Sequence, residues 1–430
     1  MIDNIQKINN KFYLDYFFLF VFLITLPISK VTAVQNISFF LFSFLLFFTT
    51  EKEVYKNILK IKSYLFIILG IVTLSLISVF FSIDSKETLS EIRGEIIKPL
   101  FVLLLTVLFT IKKNIKEVYL IFALIVLCLF FHASINLFMW YEGGLWPFRA
   151  GGLLDNGGGE RFGIWATYSL SISIGLLFTK YKKLGILLFV IFLLSIVANN
   201  TRATFIGMIL IFISYFIFFY SNRLIKYISL VSVFVILIAF TFYSKNFDTR
   251  YNVYNMLTKT KYLDDYSPSE YNKLVKEHSL GHSSVSRLSM WKTVLLYRFE
   301  EPFIPLGYGR FLYDKQIENV WRDNPENIPF KLYGQAHNDF ISILLSLGVL
   351  GLTFFLIFLF YLLKISHYIF KYNKEFKFIG VFIFLGTIGY IASMMFGSFF
   401  GDSEQLYFYT LYGIALALYI KTKEEINAEN

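Results

Sequence analysis

Apolar runs of about 17 to 25 residues, each long enough to cross a ~30 Å hydrocarbon core as a helix, recur along nearly the whole chain between polar breaks. None shows the period-two alternation of a barrel strand. The pattern predicts about twelve spans, over 12–28, 31–49, 63–81, 97–111, 118–140, 162–179, 184–198, 205–220, 227–243, 340–363, 378–396 and 406–420. The first and fourth have the least defined limits. Residues 1–11 are polar and no small-residue cleavage site follows the first run, so that run is expected to remain as a helix. The expectation is an all-α polytopic membrane protein, with residues 1–430 forming a single integral membrane domain.

Composition excludes the soluble alternative. Hydrophobic residues make up 56% of the chain and aromatics 20%, with 52 Phe, too little polar surface for a soluble domain of this size. Charge then gives orientation. With the N-terminus inside, the short cytoplasmic connections carry about twenty Lys and Arg against about seven outside, through clusters such as Lys56, Lys60 and Lys62, or Lys112, Lys113 and Lys116. An even number of spans puts both termini in the cytoplasm. The net charge of +10 is therefore mostly a topology signal, and no nucleic acid is needed to explain it. A single cysteine, Cys128, excludes an intramolecular disulfide, so the large external loop is expected to be held by packing alone.

That loop, 244–336 between the ninth and tenth spans, is the one long connection, and connections of such length usually carry function or structure of their own. Within it, 283–299 places Val285, Leu288, Trp291, Val294, Leu295 and Phe299 at helical spacing with Arg287, Lys292 and Arg298 elsewhere. Such an amphipathic helix is expected to lie on the membrane surface or cap the bundle. Two shorter external loops stand out as well: the glycine-rich 141–161, flanked by Arg149 and Arg161, and the tight turn 199–204 containing Arg202.

The external side thus gathers Arg93, Arg149, Arg161, Arg202, Arg287 and Arg310, with His337 where the loop re-enters the bilayer. Arginine's rigid fork suits phosphate oxygens, and several near a low-dielectric edge would hold a diphosphate. The bland reading of each is a contact to lipid phosphate or a loop carboxylate. His337 could take a proton from a sugar hydroxyl near neutral pH. It could equally be structural, with Asn338 or Asp339 capping the helix that follows. His278 and His282 stand four apart, but no third ligand accompanies them, so no metal is expected. Asp402 and Glu404 read as solvated surface acids.

The order Thr201-Arg202-Ala203, then Ser286-Arg287-Leu288-Ser289-Met290-Trp291, then Pro305-Leu306-Gly307-Tyr308-Gly309-Arg310, then His337-Asn338-Asp339-Phe340 with Gly348 and Gly351 resembles the O-antigen ligase and O-antigen polymerase superfamily, of the lipid A-core surface polymer ligase type. The match runs over about 199–352. The resemblance implies a GT-C-like fold in the bacterial inner membrane and an active site facing the periplasm. It also implies inverting, metal-independent transfer of a glycan from undecaprenyl pyrophosphate to lipid A-core, with no cofactor. By position Arg202 and Arg287 match the arginines that hold the pyrophosphate, and His337 matches the histidine that activates the acceptor; these three are the expected catalytic residues. Arg93, Arg149, Arg161, Arg310, Asn338 and Trp291 are expected to contact substrate, and membrane lipids surround the bundle. The motifs are shared by ligases, polymerases and protein O-oligosaccharyltransferases. A transporter or flippase for lipid-linked glycan is the alternative of another class; it would want ionisable residues near midplane, and the spans offer little beyond His132.

Overall fold

The computed structural model describes residues 9, 12–50, 52–56, 60, 62–146, 148–154, 158–220, 267–270, 273, 282–329 and 332–429. The expected ninth span, His278 and most of 262–281 lie outside the described residues. Among the described residues there is no strand. The helices are α1 (Leu14–Thr25), α2 (Thr32–Thr49), α3 (Lys62–Ser78), α4 (Ser85–Ile111), α5 (Ile115–Glu142), α6 (Gly158–Leu176), α7 (Lys182–Asn199), α8 (Arg202–Phe218), α9 (His282–Glu300), α10 (Tyr313–Val320), α11 (Asp339–Tyr372), α12 (Lys377–Met394) and α13 (Ser403–Glu429). Among the described residues seven helices are long and apolar enough to cross a membrane, and α1 and α8 are shorter apolar helices.

α12 is the central element: 83% of its apolar window is buried, against 22% for α2, and α6, α8 and α11 pack around it. α13 lies on α4 so closely that a Cβ at Gly413 would come within 2.6 Å of the Leu103 carbonyl. Small residues set such contacts in membranes, where lipid tails are as apolar as leucine and helices gain little from hydrophobic association. Outward-facing Phe40, Phe47, Phe66, Leu187 and Phe360 are exposed, which suits lipid and not water. At one end of the bundle Asp15 pairs with Lys113 at 3.0 Å, and Lys421 donates to the Lys113 carbonyl. The start of α1 and the last turns of α13 therefore share one end, opposite the end that receives the loop.

The fourth span differs from expectation. It begins at Ser85, not near residue 97, so Glu91, Arg93, Glu95 and Lys98 lie on α4 itself. Pro99 has no N–H to offer the Glu95 carbonyl four residues back, and Gln405 Nε2 supplies that bond at 2.8 Å. The helix widens here into a π-turn over Ile92–Ile97, which leaves Glu95 buried and Arg93 exposed.

α11 is broken as well. Asn338 caps it, its Oδ1 accepting the Ile341 N–H at 3.1 Å, but Gly348 adopts φ 70°, ψ −171° and splits it in two. The turn after α9 satisfies the backbone groups around the break: Val349 N–H donates to Pro302 O at 2.9 Å and Leu306 N–H to Ser346 O at 2.9 Å. Arg298 donates to the carbonyls of Glu301 (2.6 Å) and Ile304 (2.7 Å) and to that of Leu345. Burial pulls Arg298 down to about 10, which still leaves it a cation at neutral pH, placed where a helix segment presents its unpaired carbonyls.

Arg298 also corrects the expected face of α9. The buried side carries Met290 and Val294, packed with Tyr313, Ile317 and Leu345, while Leu295 and Phe299 are exposed. The helix turns its arginine inward because the broken end of α11 needs donors more than it needs apolar cover. The loop is accordingly held by hydrogen bonds as well as by packing.

A Cβ at position 348 would sit 2.7 Å from Pro302 O on a backbone of positive φ. Gly348→Ala is expected to lower the thermal midpoint of the detergent-purified protein, by about 1–3 kcal/mol of stability. Gly334→Ala, where a Cβ meets nothing within 4 Å, is expected to leave the midpoint unchanged.

Candidate active site

The loop end of the bundle gathers segments that are far apart in the chain. His337 immediately precedes the Asn338 cap and takes φ 52°, a left-handed conformation unusual outside glycine, and such strain concentrates at functional sites. Its backbone is fixed from both sides. Trp291 Nε1 donates to the Ala336 carbonyl at 2.9 Å, and Asn338 Nδ2 donates to Met395 O at 3.1 Å. Asp339 accepts the Phe399 N–H with both oxygens, at 3.2 and 3.1 Å. The ring of Tyr333 meets the imidazole edge-on at 5.4 Å.

Arg287, on the first turns of α9, reaches the same place. Its Nη1 donates to Phe396 O at 3.0 Å and its Nη2 to Glu160 Oε1 at 3.3 Å. His337 is held below the ordinary imidazole range first by burial and then by the Arg287 cation, while the Glu160 carboxylate raises it. The outcome is a neutral imidazole at pH 7.

The 199–202 turn abuts the start of α6. Asn200 is buried and left-handed at φ 50°, and Asn199 Nδ2 donates to the carbonyls of Gly159 (2.6 Å) and Ala150 (3.2 Å). The Asn199 Oδ1 accepts from the hydroxyls of Thr201 and Thr204, both at 2.8 Å. This cluster lies so close to α6 that a Cβ at Gly163 would fall 2.0 Å from Thr204 Oγ1. Arg202, half-buried, is the first residue of α8; Arg149, exposed, donates from Nε to Asn200 O at 3.2 Å. The turn bearing Arg202 is thereby pinned one residue from Glu160, and Glu160 pairs with Arg287.

Arg161 and Arg310 each engage a carboxylate through two nitrogens. Arg161 donates to Glu404 through Nε (3.2 Å) and Nη2 (3.0 Å), and Trp165 Nε1 donates to the same carboxylate at 3.2 Å. Arg310 is forked on Asp402 at 3.1 and 2.8 Å and donates to Ser398 O at 2.9 Å. Its Nε lies 3.2 Å from Glu95 Oε1, close but out of hydrogen-bond alignment. Burial pulls Arg310 down, yet Asp402 and Glu95 outweigh it and hold the group above the ordinary arginine range. Asp402 and Glu404 are therefore not solvated surface acids: Glu404 is fully buried, and both anchor arginines. Arg93 is exposed on the π-turn and makes no ion pair with a described residue.

Of the expected residues, the structure joins Arg287, His337, Asn338 and Trp291 in one cluster, with the Arg149 and Arg202 turn beside it. Arg161 and Arg310 are occupied by carboxylates, and Trp291 acts on backbone. Glu160, Glu95 and the inward role of Arg298 escaped the sequence reading. A carboxylate inside an apolar helix next to a proline is the signal that could have found Glu95; Glu160 lies at the end of a stretch that reads only as a flexible glycine loop.

Fold and site together define an all-α polytopic membrane protein with arginines and a histidine gathered at one end of its bundle. Residues 187–356 match the family model described as O-antigen ligase, a segment that holds the 199–204 turn, α9 and the His337 cap, and the match supports a relationship to the O-antigen ligase superfamily. The same match supports, in general, an activity of the O-antigen ligase or polymerase type. No curated protein matches the chain.

Asp402→Asn removes the carboxylate that Arg310 grips and that stands 3.8 Å from Arg161. Because Asp402 keeps some solvent contact, the expected loss is about 1–3 kcal/mol, below the usual cost of breaking a fully buried pair, read as a lower thermal midpoint that Asp402→Glu partly restores.

Proposed function

We propose that this protein is an O-antigen ligase working on the periplasmic face of the bacterial inner membrane, moving a glycan from undecaprenyl pyrophosphate to lipid A-core. The observation that carries this reading is the meeting of Arg287 and His337 beside the turn that bears Arg202. His337, neutral at pH 7, takes the proton of the acceptor hydroxyl. The hydroxyl oxygen attacks the anomeric carbon from the face opposite the diphosphate, and the bond to the diphosphate oxygen breaks, which inverts the centre. Arg287 and Arg202 neutralise the charge that builds on the leaving diphosphate. Cationic forks and a general base account for these steps without a metal or cofactor. The lysine-rich opposite end, where α1 begins and α13 ends, is assigned to the cytoplasm by the positive-inside rule.

Arg161 and Arg310 serve the site by shaping it, since their donors are committed to Glu404, Asp402 and Ser398. Asn338 and Trp291 fix the backbone on either side of His337. Arg93 and Arg149 are exposed and are assigned to the anionic headgroup of the donor or of the surrounding lipid.

A lipopolysaccharide gel of the deleted host tests the acceptor. Loss of the ladder to core alone, restored by the wild-type gene, is expected for a ligase; core bearing a single repeat would indicate a polymerase, and an unchanged ladder would refute both. His337→Ala and Arg287→Ala are expected to abolish transfer while the protein remains inserted at normal abundance. Full activity in either variant would remove that residue from the site. The base must be neutral to act, so kcat/KM is expected to fall as pH drops through the lowered His337 pKa. The acid limb should therefore lie below the ordinary value of about 6.5, and a limb above pH 7 would exclude His337 as the base.

A further inference from the structure

Three arginines at the loop end, Arg161, Arg287 and Arg310, pair with described carboxylates, and they are held in different ways. Arg161 and Arg310 each grip a carboxylate with two nitrogens, and the Glu404 side chain is fully buried. Arg287 has one carbonyl, Phe396 O, and a single carboxylate oxygen of Glu160 at 3.3 Å. That contact is long for a charge-assisted hydrogen bond, which usually falls at about 2.7–2.9 Å. Glu160 also keeps 45% of its side-chain surface exposed, against 23% for Asp402. Of these pairs, the one on Arg287 is the one a competing anion can open most readily.

We propose that Glu160 is the exchangeable counterion of Arg287, yielding its N–H to the diphosphate of the lipid-linked donor and remaining beside His337 as a positioning carboxylate. The inference rests on the diphosphate reading of Arg287 given above. Phe396 O keeps the guanidinium oriented when the carboxylate swings away. The Glu160 backbone does not have to move, because Asn199 holds the preceding carbonyl, Gly159 O, at 2.6 Å and only the side chain must rotate. The displaced charge stays next to the imidazole. When His337 takes the acceptor proton it becomes a second cation near Arg287, and the freed Glu160 carboxylate offsets the repulsion between them. The new bond joins the acceptor oxygen to the anomeric carbon, the electron pair of the broken bond leaves with the diphosphate, and the proton resides on His337.

Two consequences separate this role from a structural one. Removing the charge of Glu160 strengthens anion binding, because Arg287 loses its internal competitor, but slows transfer, because imidazolium loses its support. Inorganic pyrophosphate titrated into the purified full-length protein in detergent, followed by calorimetry, is expected to bind Glu160→Gln about threefold to tenfold tighter than wild type, the range an ion pair of partial exposure allows. Arg287→Gln is expected to lose binding. In transfer assays Glu160→Gln is expected to lower both KM for the donor and kcat, with Glu160→Asp recovering kcat. Unchanged or weaker pyrophosphate binding by Glu160→Gln, with wild type binding and Arg287→Gln not, would overturn the counterion role alone. Equal binding by wild type and Arg287→Gln, or none by either, would overturn the diphosphate reading and this inference with it.

Discussion

Arg310 is the tie on which the loop end depends. Its five N–H groups reach Asp402, Ser398 O and the neighbourhood of Glu95, joining the long loop, the 395–402 turn and the π-turn of α4 through one guanidinium. Charges this far from water are tolerated only when they are paired and hydrogen-bonded. The pairing therefore dictates the local fold: Glu95 faces inward because α4 widens at Ile92–Ile97, and it widens where Pro99 cannot donate. The turn that Arg310 fixes at Ser398 and Asp402 also gives the Phe399 N–H to Asp339 and Met395 O to Asn338. The first turn of α11, and with it His337, hangs from that turn.

The same demand for satisfied backbone shapes the approach from the other side. A helix broken at Gly348 leaves carbonyls that water cannot reach, and Arg298 with the 301–306 turn answers them. This docks α9 against α11, so that Arg287 and Trp291, on the first turns of α9, come to lie over Ala336 and His337. Structural arginines thus place the one proposed to hold the diphosphate.

The site works by contrast between committed and available charge. Arg161 and Arg310 grip Glu404 and the half-buried Asp402 and contribute rigidity, whereas Arg287 shares a long contact with the partly exposed Glu160 beside a histidine kept neutral by burial. A neutral imidazole next to fixed cations suits the proposed reaction, in which a proton moves off an acceptor while negative charge develops on a phosphate. This arrangement also makes Glu160 consequential, since it bears on both charges.

Much of this was legible in the residues alone. Long apolar runs have few alternatives in water or lipid, so the all-α bundle follows from hydropathy; the residues of the external loops do meet at one end, because alternation of spans leaves no other place for them. The ordered motifs around Arg202, Arg287, Arg310 and His337 resemble those of the family whose model matches residues 187–356. What the sequence could not state was which arginines are spoken for. Arg161, Arg287 and Arg310 look alike as letters, and Asp402 and Glu404 look like surface acids; their roles depend on ion pairs between segments about ninety to well over two hundred residues apart, which no local pattern encodes. The inward turn of Arg298, the early start of α4 at Ser85 and the pairing of Glu160 with Arg287 were likewise settled by tertiary structure. Each answers a polar group left unsatisfied by a break in another helix or an acid brought close by packing, and those demands exist only once the helices are assembled.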